Sequence, residues 1–106
     1  MALEHVADAN FSDKIAKGIT LVDFWASWCG PCQMFGPIFE ATAAKIADAT
    51  FLKFEIDDAN RRTPAQYGIR SIPSVLAFKD GELVEARTGV MDGETLAAWV
   101  AELKGN

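Results

Sequence analysis

Residues 19–32 read ITLVDFWASWCGPC, an almost unbroken apolar run that leads into two cysteines separated by two residues. Such a run predicts a strand buried on both faces of a sheet over Ile19 to Ala26, with Asp23 as its charged exception. Apolar residues then recur at helical spacing from Pro31 to Asp48, and Pro37 is expected to kink this helix. The cysteine pair therefore falls where a buried strand meets the longest helix, a position typical of a redox motif.

The remainder of the chain alternates helical and extended patterns. Further helices are predicted over Asp8 to Lys17, with Asp8 as the N-cap and Gly18 as the stop, and over Asn60 to Tyr67. Strands are predicted over Phe51 to Ile56, Ser74 to Lys79 and Glu82 to Thr88, and Asp80-Gly81 favours an antiparallel hairpin between the last two. Asp92 is expected to cap a final helix whose inner face carries Leu96, Trp99, Val100 and Leu103. The pattern predicts an α/β protein, with a mixed sheet and helices on both faces.

Composition limits the domain count and the partners. A chain of 106 residues has the length of one domain, so residues 1–106 are expected to form a single cooperative unit. Fifteen acidic and ten basic residues give a net charge of -5, which opposes binding to nucleic-acid phosphates. The first residues have neither a basic nor an apolar leader region, and no apolar run approaches about 20 residues, so we expect neither a secretory leader nor a membrane span. Two cysteines are too few for a secreted disulfide scaffold. We expect a cytoplasmic protein that binds neither nucleic acid nor membrane.

The cysteine spacing predicts thiol-disulfide exchange. Two positions three apart at a helix N-terminus lie on one face, and the free amides and helix dipole there stabilise a thiolate on the first sulfur. Cys29 is therefore predicted to be the nucleophile, and Cys32 the thiol that resolves the mixed disulfide. Two buried structural cysteines are the alternative. A structural zinc site is disfavoured because it needs four ligands, whereas the chain offers these two cysteines and the distant His5.

Two charged residues in core strands are further candidates. Asp23 lies among apolar neighbours, where burial should raise the pKa of its carboxyl and let it take a proton from Cys32. An Asp at a solvated strand end is the alternative. Lys53 could project toward Asp23 from a neighbouring strand or could equally be solvated.

Several stretches carry a resemblance to a known family. They are Val22 to Cys32, Tyr67 to Ser74, Phe78 to Glu82 and Gly89, and together they resemble the thioredoxins over nearly the whole chain. The resemblance implies a thioredoxin fold and a monomeric protein-disulfide reductase that needs no bound cofactor or metal. It also implies recharging by a flavin-containing, NADPH-dependent thioredoxin reductase.

The resemblance extends to individual residues. It implies a pairing of Lys53 with Asp23, a cis bond between Ile72 and Pro73, and a Gly30-Pro31 dipeptide that makes the dithiol a good electron donor. Substrate is expected to bind a groove formed by Trp28, Ile72, Gly89 and Val90, chiefly through main-chain hydrogen bonds beside Pro73. Gln33 and Val90 depart from the common family pattern and are expected to alter partner preference rather than chemistry. A redox-independent binding module that uses the same groove is the alternative function.

Overall fold

The computed structural model describes residues 3–105, which form five strands and four α-helices. The strands are β1 (Leu3–Val6), β2 (Ile19–Trp25), β3 (Thr50–Glu55), β4 (Ser74–Lys79) and β5 (Glu82–Thr88). The helices are α1 (Phe11–Lys14), α2 (Gly30–Lys45), α3 (Arg62–Gln66) and α4 (Gly93–Gly105). The predicted domain also includes Met1, Ala2 and Asn106, which lie outside the described residues.

The strands form one mixed sheet in the order β1-β3-β2-β4-β5. β3 runs parallel to both β1 and β2, whereas β4 is antiparallel to β2 and to β5. Asp80 and Gly81 join β4 to β5 with positive φ values of 50° and 88°, the conformation that a two-residue hairpin turn requires. The predicted α/β architecture and its antiparallel hairpin are confirmed.

Each face of the sheet covers its own apolar core. On one face, Phe35 and Phe39 of α2 and Trp99 of α4 pack over Leu21 and Phe51. The other face carries a second set of buried residues, which are Val6, Phe11, Ile15, Val22, Phe24, Leu52, Phe54, Leu76 and Phe78. Side chains alternate along β2, so Asp23 shares the face of Leu21 and lies beneath α2. This alternation brings the charged residue to the helix that carries the cysteines.

The N-terminal segment differs from the prediction in two ways. Residues Leu3–Val6 form an edge strand that the sequence did not indicate, since only its last residue is fully buried. Asp8 does not cap its own helix: its segment begins as a 3-10 turn at Asp8–Asn10, followed by α1. Its carboxylate instead accepts hydrogen bonds from the backbone N–H groups of Arg62 (3.1 Å) and Thr63 (2.8 Å) at the start of α3. Asp8 therefore caps a helix more than fifty residues away in the chain.

The final helix agrees with its prediction. Asp92 accepts a hydrogen bond from the Thr95 N–H at 2.7 Å and so caps α4. The buried residues of α4 are the predicted four, Leu96, Trp99, Val100 and Leu103. Within residues 3–105, the helices all fall short of the length and apolar character that crossing a membrane requires.

Candidate active site

Cys29 and Cys32 form a disulfide at the N-terminus of α2, with their Cα atoms 5.3 Å apart. Cys29 is the N-cap residue and has an extended backbone, whereas Gly30 and Pro31 form the first turn of the helix. Proline suits this position because its missing N–H would have no partner in the first turn. The two intervening residues therefore place both sulfurs at the same end of α2.

The sulfur of Cys29 occupies the position of a capping group. It accepts a hydrogen bond from the backbone N–H of Cys32 at 3.2 Å, and it lies 3.8 Å from the carbonyl oxygen of Ile72. The N–H groups of a first helical turn carry partial positive charge, so they favour a negative charge on this atom once the disulfide is reduced. The Cys29 sulfur therefore faces a backbone donor at the start of α2.

The segment before β4 forms the opposite side of the site. The Ile72–Pro73 peptide bond is cis, as the family resemblance implies. Ile72 packs against the cluster of Ala26 and the two cysteines. The Pro73 carbonyl accepts a hydrogen bond from the Gly89 N–H at 2.8 Å, which joins the start of β4 to the end of β5.

Apolar side chains at this end of the molecule are open to solvent. Trp28 is 77% exposed and Val90 is 42% exposed, although both are large hydrophobic residues. Met34, on the second turn of α2, is 67% exposed. Burial of such residues against a partner is favourable, so this surface can contribute binding energy. The sequence prediction did not include Met34, although it lies one helical turn after Gly30.

Asp23 is the buried carboxylate of the site. Its residue is 1% exposed, and neither of its carboxyl oxygens has a hydrogen-bond partner. Burial raises the pKa of Asp23 to about 7, against an opposing effect of the Lys53 ammonium and a further rise from the Glu40 carboxylate. A carboxyl with this pKa exchanges protons near neutral pH, which suits an acid-base role.

Lys53 is the in-register neighbour of Asp23 on β3, and its positive charge acts on the Asp23 carboxyl, but its ammonium makes no hydrogen bond to either Asp23 oxygen. Its ammonium instead bonds to Glu40 Oε2 at 2.8 Å and lies over the Trp25 ring, 4.9 Å from the ring centre. Glu40 is half-exposed and Asp23 is buried, so an ion pair with Glu40 costs less desolvation than one with Asp23, which explains the preference.

Glu40 and Gly36 were not predicted as site residues. Both lie on α2, one turn apart, and a Cβ atom at Gly36 would lie 3.4 Å from the Lys53 Nζ. The sequence signal available for this pair was a glycine four residues before an acidic residue on one helix. The sequence alone does not show which strand residue packs against that part of the helix.

The Gln33 side chain donates to the Ser27 carbonyl oxygen at 3.2 Å and so links α2 to the loop before Cys29.

Comparison with known proteins agrees with this geometry. The family model named Thioredoxin matches residues 2–102. A protein named Thioredoxin from Chlamydia muridarum is 45% identical over 97 residues, which span 92% of this chain and 94% of that protein. A protein of the same name from Staphylococcus aureus strain Mu50 is 45% identical over 98 residues, which span 92% of this chain and 93% of that protein. The similarity therefore covers almost the full length of both relatives.

Proposed function

This chain belongs to the thioredoxin family, and on that premise we propose that Cys29 is its attacking thiolate, Cys32 its resolving thiol and Asp23 the proton acceptor of Cys32. The chain is a protein-disulfide reductase that acts by dithiol-disulfide exchange through Cys29 and Cys32. The observation that carries the assignment of roles is the hydrogen bond from the Cys32 N–H to the Cys29 sulfur. That bond favours negative charge on Cys29.

The first step is attack by Cys29 on a substrate disulfide. The thiolate forms a bond to one substrate sulfur, the substrate S–S bond breaks, and the second substrate sulfur leaves as a thiolate that takes up a proton. Gly30 and Pro31 take part by starting α2 directly after Cys29, so that the Cys32 N–H of the first turn points at its sulfur. The product is a mixed disulfide between Cys29 and the substrate.

The second step is resolution by Cys32. Its thiol loses a proton to the Asp23 carboxylate, and the resulting thiolate attacks the Cys29 sulfur. A Cys29–Cys32 bond forms and the remaining substrate sulfur leaves as a thiolate, so that two electrons have passed from the dithiol to the substrate. A pKa near 7 makes Asp23 partly ionised at neutral pH and able to accept that proton. The end state is the disulfide present in this structure.

Disulfide-containing proteins are the substrates, and we propose that they bind across Trp28, Ile72, Gly89 and Val90. Ile72 contacts the cysteine cluster, and the Gly89–Pro73 hydrogen bond holds the end of β5 beside it. Exposed Trp28 and Val90 offer apolar surface next to this backbone. Main-chain hydrogen bonds to an extended substrate segment would let the groove accept many sequences.

Thioredoxin reductase is the usual partner of the family, and we propose a flavin-containing, NADPH-dependent form as the electron donor. We further propose a cytoplasmic monomer whose residues 1–106 make one domain. A reducing compartment would keep the Cys29–Cys32 pair available as a dithiol, and all five strands within residues 3–105 join one sheet. Cell fractionation and size-exclusion chromatography test localisation and oligomeric state.

Insulin disulfide reduction with dithiothreitol as electron source tests the assignment of the two cysteines. The wild type should accelerate insulin precipitation, whereas Cys29→Ser should abolish the acceleration. Cys32→Ser should accumulate a mixed disulfide through Cys29, which mass spectrometry of tryptic peptides would locate. Accumulation through Cys32 in the Cys29→Ser variant would reverse the assignment. A redox-independent binding module is not favoured, because the two sulfurs lie within bonding distance.

A further inference from the structure

A lysine near the active site has two carboxylates as neighbours, and its ammonium bonds to only one of them. Lys53 Nζ is 2.8 Å from Glu40 Oε2, while both oxygens of Asp23 lack hydrogen-bond partners. Asp23 and Lys53 are directly opposed in the parallel pair of β2 and β3, so their side chains leave the sheet on the same face. The backbone of Lys53 therefore lies next to Asp23, whereas its ammonium group lies at α2.

Two contacts and one gap hold the ammonium in this place. Glu40 accepts its hydrogen bond, the Trp25 ring lies beneath it at 4.9 Å, and the absent side chain of Gly36 leaves it room. The Lys53 side chain is 10% exposed, whereas that of Glu40 is 48% exposed. Glu40 can therefore keep contact with water while it neutralises a buried cation.

We infer that Glu40 is a positioning residue of the exchange reaction, because it holds the Lys53 ammonium at α2 and so keeps this cation from pairing with the Asp23 carboxylate. The inference rests on the proposed role of Asp23 as proton acceptor. A carboxylate that bonds directly to an ammonium is a weaker base and gives up its proton at lower pH. By holding Lys53, Glu40 keeps Asp23 basic enough to deprotonate Cys32.

The other residues around Asp23 do not determine the position of the Lys53 ammonium. The charged groups that act on it are Lys53 on β3 and Glu40 on α2, and the thiol of Cys32 adds a titratable group after reduction. Its partner on β4 is Val75, and α4 contributes apolar residues such as Leu96 to the same core. Glu40 acts on Asp23 by two routes, its own negative charge and its hold on Lys53.

The variants Glu40→Gln, Lys53→Met and their combination separate the effect of the Glu40 charge from the effect of its bond to Lys53. The Asp23 pKa is measured by carbon-13 NMR titration of its carboxyl group in the full chain, in both redox states. We expect Glu40→Gln to lower the midpoint by about one pH unit, because the freed ammonium turns toward Asp23. In the Lys53→Met background, Glu40→Gln should lower the Asp23 titration midpoint by less than half as much as it does in the wild type.

A Glu40→Gln midpoint equal to that of the wild type would overturn the inference. A shift in the Lys53→Met background more than half as large would also overturn it, since the charge of Glu40 alone would then account for the effect. Glu4→Gln is the matched control, because it removes one negative charge and an ion pair to Lys14 of 3.0 Å. Glu4 is in register with Leu52 on the neighbouring strand, so its side chain leaves the sheet on the face opposite Lys53. It should leave the Asp23 midpoint unchanged.

A kinetic readout distinguishes failure of this inference from failure of the proposed function. Single-turnover release of substrate from the Cys29 mixed disulfide is followed across pH in the wild type and in Glu40→Gln. We expect its midpoint to move to lower pH together with the NMR midpoint. If the NMR midpoint moves and the release profile does not, Glu40 still positions Lys53, but Asp23 is not the proton acceptor.

Discussion

Replacement of Asp23 by asparagine should stabilise the protein by an amount that depends strongly on pH. The carboxylate lies 1% exposed with no hydrogen-bond partner for either oxygen, so its ionisation in the folded state is opposed by desolvation. Asparagine has nearly the same shape and never ionises. Lys53 does not become unpaired in the variant, because Glu40 already holds its ammonium.

The magnitude follows from the raised pKa of Asp23. The pKa of this carboxyl is 3.8, its ordinary value, in the unfolded chain and about 7 in the folded protein. Ionisation of the carboxyl therefore opposes folding. The wild type therefore loses stability as the pH rises from about 4 through 7. Each pKa unit corresponds to about 1.4 kcal/mol, so the loss reaches about 4 kcal/mol at pH 8 and is below about 1 kcal/mol at pH 4. The Asp23→Asn variant avoids that loss.

Urea denaturation at pH 4, 6 and 8 measures this difference in the free energy of unfolding. Asp23→Asn should match the wild type at pH 4 and exceed it by about 4 kcal/mol at pH 8. Asp13→Asn, at an exposed site on α1, is the control and should show no such growth with pH. A stability difference independent of pH, or one that shrinks toward pH 8, would refute the account of Asp23 as a desolvated acid. Substrate release from the mixed disulfide should slow in Asp23→Asn, since the proton acceptor of Cys32 is gone.

Three further predictions concern the thiols, the long-range cap and the hairpin. In the reduced protein, iodoacetamide near pH 7 should label Cys29 ahead of Cys32 in peptide mapping, because the N-terminus of α2 favours its thiolate; equal labelling would contradict this. Asp8→Ala should lower the free energy of unfolding by about 1–2 kcal/mol at neutral pH, since it removes the cap of α3, whereas Asp13→Ala should change it by less than about 0.5 kcal/mol. Burial raises the pKa of Asp8, but hydrogen bonds from Thr63 and Arg62 lower it by more, so the pKa lies below its ordinary value. The stabilising contribution of Asp8 should therefore vanish as acidification protonates the carboxylate. Gly81→Ala should cost about 1 kcal/mol in urea denaturation, because its φ of 88° disfavours a side chain; an unchanged midpoint would contradict this.

Features that depend on neighbouring residues in the chain could be predicted from the sequence. The apolar run of β2, the helical spacing of α4 and the Asp80-Gly81 turn depend on local periodicity and backbone preference, and each has its predicted form. The cysteine spacing belongs to the same class, because an N-cap and the third residue of a helix meet in any such turn. Burial of Asp23 also followed, since its strand is apolar on both faces. These features determined the α/β class and the redox pair.

Contacts between residues far apart in the chain were decided only by the tertiary structure. Asp8 carries a good capping side chain, but the helix whose N-terminus lies within its reach is α3. Lys53 stands beside Asp23, yet its flexible side chain reaches past that neighbour to Glu40, because α2 offers an ionised partner with access to water and a gap at Gly36. A capping carboxylate or an ammonium group forms its hydrogen bond with the partner that packing brings within about 3 Å. The local sequence does not specify that distance. Which carboxylate the lysine neutralises, and hence how basic Asp23 remains, is a property of the packed sheet and helix together.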